Sequence, residues 1–170
     1  MFFRVTYHWL LFLLFMLAAP CAQGQVFLIN GGNVTTCGGA LLDSGGEGGS
    51  GYGDNENYVM TICPADADSA ISLAFVIFNL SAAGTVPTDQ LSIYDGTDTS
   101  APLIGTWSGT NSPGIVSASF ANTSGCLTVE FTSNATGTGV FTASISCSHP
   151  CEPPTAWAVM SEAAPALICQ

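Results

Sequence analysis

The side chains of this chain that could carry chemistry are almost all acids. Asp89 and Asp95 bracket the stretch DQLSIYDG, and an acid at the end of a strand can be a general acid or base, a calcium ligand or a turn residue. Gly96 follows Asp95 directly, so Asp95-Gly96 reads as a strand-closing turn: Asp bonds nearby backbone and Gly accepts positive φ. Asp43, Glu47, Asp54 and Glu56 crowd the Gly-rich segment 38–57. Carboxylates on a flexible chain can wrap calcium, but no D-x-D-x-D-G run with a later Glu occurs, so this segment reads as a solvated acidic loop. A glycosidase needs two carboxylates at a fixed separation, and twelve acids supply such pairs by chance. A hydrolase triad lacks its histidine, because His8 stands in the leader and His149 in a Pro-rich stretch. Tyr94 and Trp107 are candidate stacking aromatics; Tyr94 alternates opposite to Ile93 and so faces outward, with packing as its expected role.

Charge excludes more than it suggests. Arg4 is the single basic side chain among Lys and Arg, against twelve acids, for a net charge of −11. Nucleic-acid binding needs cations to neutralise phosphate, and phosphate clamps need Arg or Lys. Neither chemistry is open beyond residue 4. No Lys is available for a Schiff base. The charge suits cation binding or plain solubility.

The elements that must position these residues come next. Residues 1–24 read as a secretory signal peptide: Arg4, the apolar run Trp9–Ala19, and small residues Ala22 and Gly24 before Gln25. The run is short for a membrane span. Export makes the six cysteines beyond Cys21 disulfide candidates. Strand-like runs follow at Tyr58–Ile62, Ile71–Phe78, Leu91–Tyr94, Leu103–Trp107, Val116–Phe120, Leu127–Phe131 and Phe141–Ser146, separated by turn residues and without a long helical period. This predicts an all-β sandwich. The run ISLAFVIF is apolar on both faces, as a covered central strand would be. Val116, Ala118 and Phe120 alternate onto one side.

Cys37 and Cys63 flank the Gly-rich loop and are expected to pin it as a pair. A hairpin of LTVEF and FTASIS with Phe131 opposite Phe141 brings Cys126 close to Cys147, the second expected pair. Cys151 and Cys169 pair with each other or with residues beyond Gln170. The organisation read from these signals is a lead-in at 25–36, a domain at 37–147, and at 148–170 a Pro-rich linker opening a following domain. Asn33, Asn79, Asn122 and Asn134 stand in N-x-S/T sequons.

Cys37-Gly38-Gly39, Tyr52, Phe75-x-x-Phe78, Asp89-x-Leu91-x-Ile93-x-Asp95-Gly96, Leu127-x-Val129-x-Phe131-x-Ser133 and Phe141-x-Ala143 together resemble a CUB domain over roughly residues 37–147. The SGGxGG loop, NENYxMTICP and IGTWSGTNSPG most resemble CUB domains of secreted and surface proteins of the Bacteroidetes, and the tail from Pro153 resembles the start of a PKD-type immunoglobulin-like domain. The resemblance implies a jelly-roll-like antiparallel β-sandwich with disulfides. It also implies a non-catalytic extracellular or cell-surface binding and adhesion module for protein or glycan, at the N-terminus of a larger protein. An alternative is the accessory domain of a secreted hydrolase, a peptidase first. The family's calcium site falls on Tyr52, Ser81, Asp89 and Asn134, where Ser81 and Asn134 replace two of its three carboxylates. Asp68-Ser69-Ala70 resembles a short O-glycosylation pattern of that bacterial group, with Ser69 as acceptor.

Overall fold

A computed structural model describes residues 24–83 and 88–149; the leader up to residue 23, the Cys151–Cys169 pair and the PKD-like start lie outside the described residues. Ten strands form: β1 (Val26–Leu28), β2 (Val34–Thr35), β3 (Gly38–Leu42), β4 (Asn57–Cys63), β5 (Ala70–Asn79), β6 (Gln90–Tyr94), β7 (Leu103–Trp107), β8 (Ile115–Ser117), β9 (Leu127–Thr132) and β10 (Val140–Ser148). They make two five-stranded sheets in the orders β1-β3-β10-β5-β8 and β2-β4-β9-β6-β7. The pairs β1/β3 and β2/β4 are parallel and the rest antiparallel. The result is an all-β, jelly-roll-like sandwich.

Alternation dictates what lies between the sheets. Met60 and Ile62 of β4, Leu91 and Ile93 of β6, and Leu127, Val129 and Phe131 of β9 face Leu41, Ile71, Leu73, Phe141, Ala143 and Ile145 of the other sheet, all buried. In β5 the alternation is deliberately broken. Phe78 pairs with Phe141 and Ile77 with Thr142, but the next partner, Ala143, meets Phe75, so Val76 is passed over. That extra residue is a bulge. It turns Phe75 and Phe78, three positions apart, onto the same face, where their rings meet edge-on at 5.7 Å. It also leaves Val76 at 69% and Ile77 at 50% exposure, so the strand expected to be covered on both faces is covered on one.

Several expectations are corrected. Phe131 and Phe141 meet, with ring centroids 5.3 Å apart, but across the core and not side by side in a hairpin. β9 and β10 belong to different sheets. The cysteine pairs change with them: Cys37 bonds Cys147 and Cys63 bonds Cys126, in place of Cys37–Cys63 and Cys126–Cys147. The reason is register. Gly38 pairs with Ser146 and Ile62 with Leu127, so each disulfide is the next rung of an existing antiparallel ladder. Cα separations of 4.9 and 4.2 Å are those of residues directly opposite one another.

Residues 38–42, read as loop, are the strand β3. The lead-in 25–36 contributes β1, β2 and the fully buried Ile29 to the sandwich. Gly39 permits this. It has φ +117°, and a Cβ there would stand 2.5 Å from the Gln25 carbonyl oxygen and 3.0 Å from the Phe27 ring. Phe120, expected inward, is 52% exposed because β8 ends at Ser117 and a turn follows.

Both disulfides close long loops, 110 and 63 residues apart in sequence. Replacing either pair by Ser–Ser is expected to cost about 2–5 kcal/mol in thermal or urea unfolding. Peptide mapping of the non-reduced protein should recover Cys37 with Cys147 and Cys63 with Cys126.

Candidate functional site

The two ends of the sandwich differ. One end holds both disulfides; at the other, three loops meet. Tyr52 comes from the β3–β4 loop, Ser81 and Asp89 from the flanks of the β5–β6 connection, and Asn134 from the β9–β10 loop. The Tyr52 ring packs into the core 4.6 Å from Phe131, which fixes where its hydroxyl emerges. That hydroxyl donates to Asp89 Oδ2 at 2.8 Å and accepts the Ser81 N–H at 2.7 Å. Asp89 is completely buried, and its Oδ1 accepts the Asn134 N–H at 2.8 Å. Burial pushes the Tyr52 hydroxyl well above its ordinary pKa, and bonding to Asp89 adds to that, against the opposing effect of the Ser81 N–H.

The four residues singled out by sequence spacing therefore gather at one node. Two of them enter through their backbone. The Ser81 and Asn134 side chains work one step away: Ser81 Oγ accepts the Ala83 N–H at 3.1 Å, Asn134 Oδ1 accepts the Thr136 N–H at 2.9 Å, and Asn134 Nδ2 donates to the Ala83 carbonyl at 3.0 Å. Gly139 leaves room for the node, since a Cβ there would meet the Asn79 carbonyl oxygen at 2.2 Å and the Tyr52 hydroxyl at 2.7 Å.

The donor chemistry does not fit calcium. That ion takes six to eight oxygens, several of them anionic. Among the described residues Asp89 is the one carboxylate bonded into the node, and each of its oxygens already accepts a hydrogen bond. Among the described residues, no three His, Cys, Asp or Glu side chains group closely enough to hold a metal ion.

The acids of the Gly-rich loop do not converge either. Asp43 is buried and accepts the N–H groups of Gly45 at 2.8 Å and Phe141 at 3.2 Å. Glu56 accepts from the Ser44 hydroxyl at 2.8 and 2.6 Å and from the Gly53 N–H at 2.8 Å, while Glu47 and Asp54 point to solvent. The loop expected to be solvated is thus anchored at two of its four acids, Asp43 and Glu56, and solvated at the other two.

Asp95 ends β6 as expected, but it reaches beyond its own turn. Its Oδ1 accepts the Ser119 N–H at 3.1 Å and the Asn122 side-chain amide at 2.7 Å. Partial burial pushes the Asp95 carboxyl up, and these bonds outweigh that and hold it below its ordinary value. The following residues fold over buried Thr61 and Thr128, whose hydroxyls donate to the carbonyls of Thr97 at 3.0 Å and Gly96 at 2.9 Å. Sequence reasoning passed over these two threonines because they alternate outward, where a hydroxyl looks like ordinary solvent-facing surface.

Of the remaining candidates, Tyr94 faces outward and donates to Glu130 Oε2 at 2.7 Å, a bond that raises its pKa. Trp107 packs against the core. Ser69 is buried and donates to the Asp66 carbonyl at 2.8 Å, so a sugar on it would have to break that turn. His149 is exposed, its Nδ1 3.0 Å from the Asp68 carbonyl oxygen. The Asn122 amide nitrogen is spent on Asp95 and, at 2.8 Å, on the Cys126 carbonyl.

Residues 32–143 match the family model described as CUB domain. No curated protein sequence matches. Among solved structures, the full extracellular region of zebrafish Gpr126/Adgrg6 is similar at 17% identity and TM-score 0.53, over 68% of this chain and 14% of that one. The CUB1-EGF-CUB2 domain of human MASP-1/3 is similar at 18% identity and TM-score 0.53, over 68% and 41%. The MASP-1 CUB2 domain bound to Ca2+ is similar at 20% identity and TM-score 0.52, over 69% and 98%. The chain thus spans less than half the length of the first two.

Tyr52→Phe strands the Ser81 N–H and one oxygen of a buried carboxylate, and is expected to cost about 2–4 kcal/mol in urea unfolding with the ring packing kept. Asp95→Ala frees the Ser119 N–H and the Asn122 amide and should cost about 1 kcal/mol at neutral pH. Since folding lowers the Asp95 pKa, its contribution exists above the unfolded value of about 3.9 and fades as pH falls through the lower folded value. The stability gap between wild type and Asp95→Ala, measured by unfolding across pH, should therefore narrow below roughly pH 4.

Proposed function

The chain belongs to the CUB domain family, and from that premise we propose that residues 25–149 act as a non-catalytic extracellular recognition module for a protein or a glycan. One observation carries this reading. The buried acids Asp43 and Asp89 are spent on joining loops, and what the sandwich offers outward is a broad sheet face. On the outer side of the first sheet, Ile77 pairs with Thr142, Ala74 with Ile115 and Ser144, and Ser72 with Ser117 and Ser146. Ile77 and Ile115 stand 50% and 75% exposed among these hydroxyl and small side chains. Apolar groups set in a polar surround are what a docking face presents. The acidic surface favours partners that bring positive charge. Carried by a secreted hydrolase, the same module would serve as an accessory that holds substrate or matrix near the catalytic domain. The Bacteroidetes-type setting and a downstream PKD-type domain belong to the same proposal and rest on the sequence resemblance.

The test is a screen of the secreted chain against immobilised extracellular proteins and glycans. We expect at least one ligand whose binding falls about tenfold or more, the effect of losing a buried anchor, in Ile77→Ser/Ile115→Ser, with the melting temperature unchanged. A ligand bound equally by that variant would move the site elsewhere, and a screen without any ligand would count against recognition itself.

A further inference from the structure

We infer that the Tyr52–Asp89 node is a metal-free clasp, in which hydrogen-bond donors of the chain itself, and not a divalent cation, answer the buried carboxylate. Asp89 is fully buried, and the chain has no Lys or Arg after Arg4 to pair with it. A buried carboxylate must be matched by hydrogen-bond donors or by a cation. The match here is made by donors: the Tyr52 O–H to Oδ2 and the Asn134 N–H to Oδ1.

The rest of the node is hydrogen-bonded in the same way. The Tyr52 oxygen takes the Ser81 N–H, Ser81 Oγ takes the Ala83 N–H, Asn134 Oδ1 takes the Thr136 N–H, and the Ala83 carbonyl takes the Asn134 amide. An entering ion would meet a single carboxylate whose charge is already shared between two donors, where calcium takes several anionic oxygens. The two positions at which the family resemblance places further acids hold the neutral Ser81 and Asn134. Both send a backbone N–H, not an oxygen, into the centre. The loops carrying residues 52, 81–83 and 134–139 are therefore joined irrespective of calcium, and this holds whether or not the module binds the partners proposed above.

The test compares the melting temperature of the full secreted chain in millimolar calcium and in EDTA, with calorimetric titration of calcium alone. Wild type is expected to melt at the same temperature in both and to give no saturable heat. Ser81→Glu/Asn134→Asp, which adds the missing carboxylates, is expected to melt several degrees higher in calcium than in EDTA, since an ion bound only by the folded state stabilises it. A wild-type rise in calcium that disappears in Asp89→Asn would overturn the clasp. An unresponsive double variant that still folds in EDTA would overturn the claim that the missing carboxylates exclude the ion.

Discussion

With no lysine or arginine after Arg4, every acid this fold takes inside must be answered by an O–H or an N–H. That constraint organises the molecule. A lone buried carboxylate costs several kcal/mol unless donors surround it, and backbone donors are free only where strands have ended. Asp43 therefore meets Phe141 at the start of β10, Asp89 meets Asn134 just past β9, and Asp95 meets Ser119 just past β8. The partners lie 98, 45 and 24 residues away in sequence. Each acid thereby fixes a long-range closure that salt bridges would supply in a more basic chain.

The two ends of the sandwich solve the closing of a ladder in different currencies. At one end Cys37–Cys147 and Cys63–Cys126 continue the β3/β10 and β4/β9 ladders by one covalent rung each. At the other, Tyr52 and Asp89 do it with polar bonds, anchored by the packing of Tyr52 on Phe131. The stretch from Asp89 to Gly96 runs between them. Its first residue belongs to the polar node, and its end caps Thr128 beside the covalent one.

Much of this was legible in the sequence. Strict alternation in LTVEF and FTASIS gave the correct inward faces, and family spacing brought Tyr52, Ser81, Asp89 and Asn134 to one place. The pairing of the cysteines was not legible, because alternation fixes which face a residue takes and says nothing about which sheet its strand joins. Phe131 and Phe141 do face one another, but across the core. β1, β2 and β3 were missed for a related reason. They are short or Gly-bearing, and Gly39 signals a loop by composition while serving here as the point where β1 comes close. The bulge at Val76 was written in the three-residue spacing of Phe75 and Phe78, a period that a flat strand cannot place on one face.

The Cys37–Cys147 bond has a mechanical meaning. It joins the residue just before β3 to one near the end of β10, so the chain between them forms a closed covalent ring. Tension drawn along the polypeptide through residues 36 and 148 passes across the sulfur bridge and bypasses everything from residue 38 to residue 146. Among the described strands, β1, β2 and Ser148 at the end of β10 lie outside the ring and can be peeled. Under load the module behaves as an inextensible link, and its outer face keeps its shape while the chain on either side is stretched.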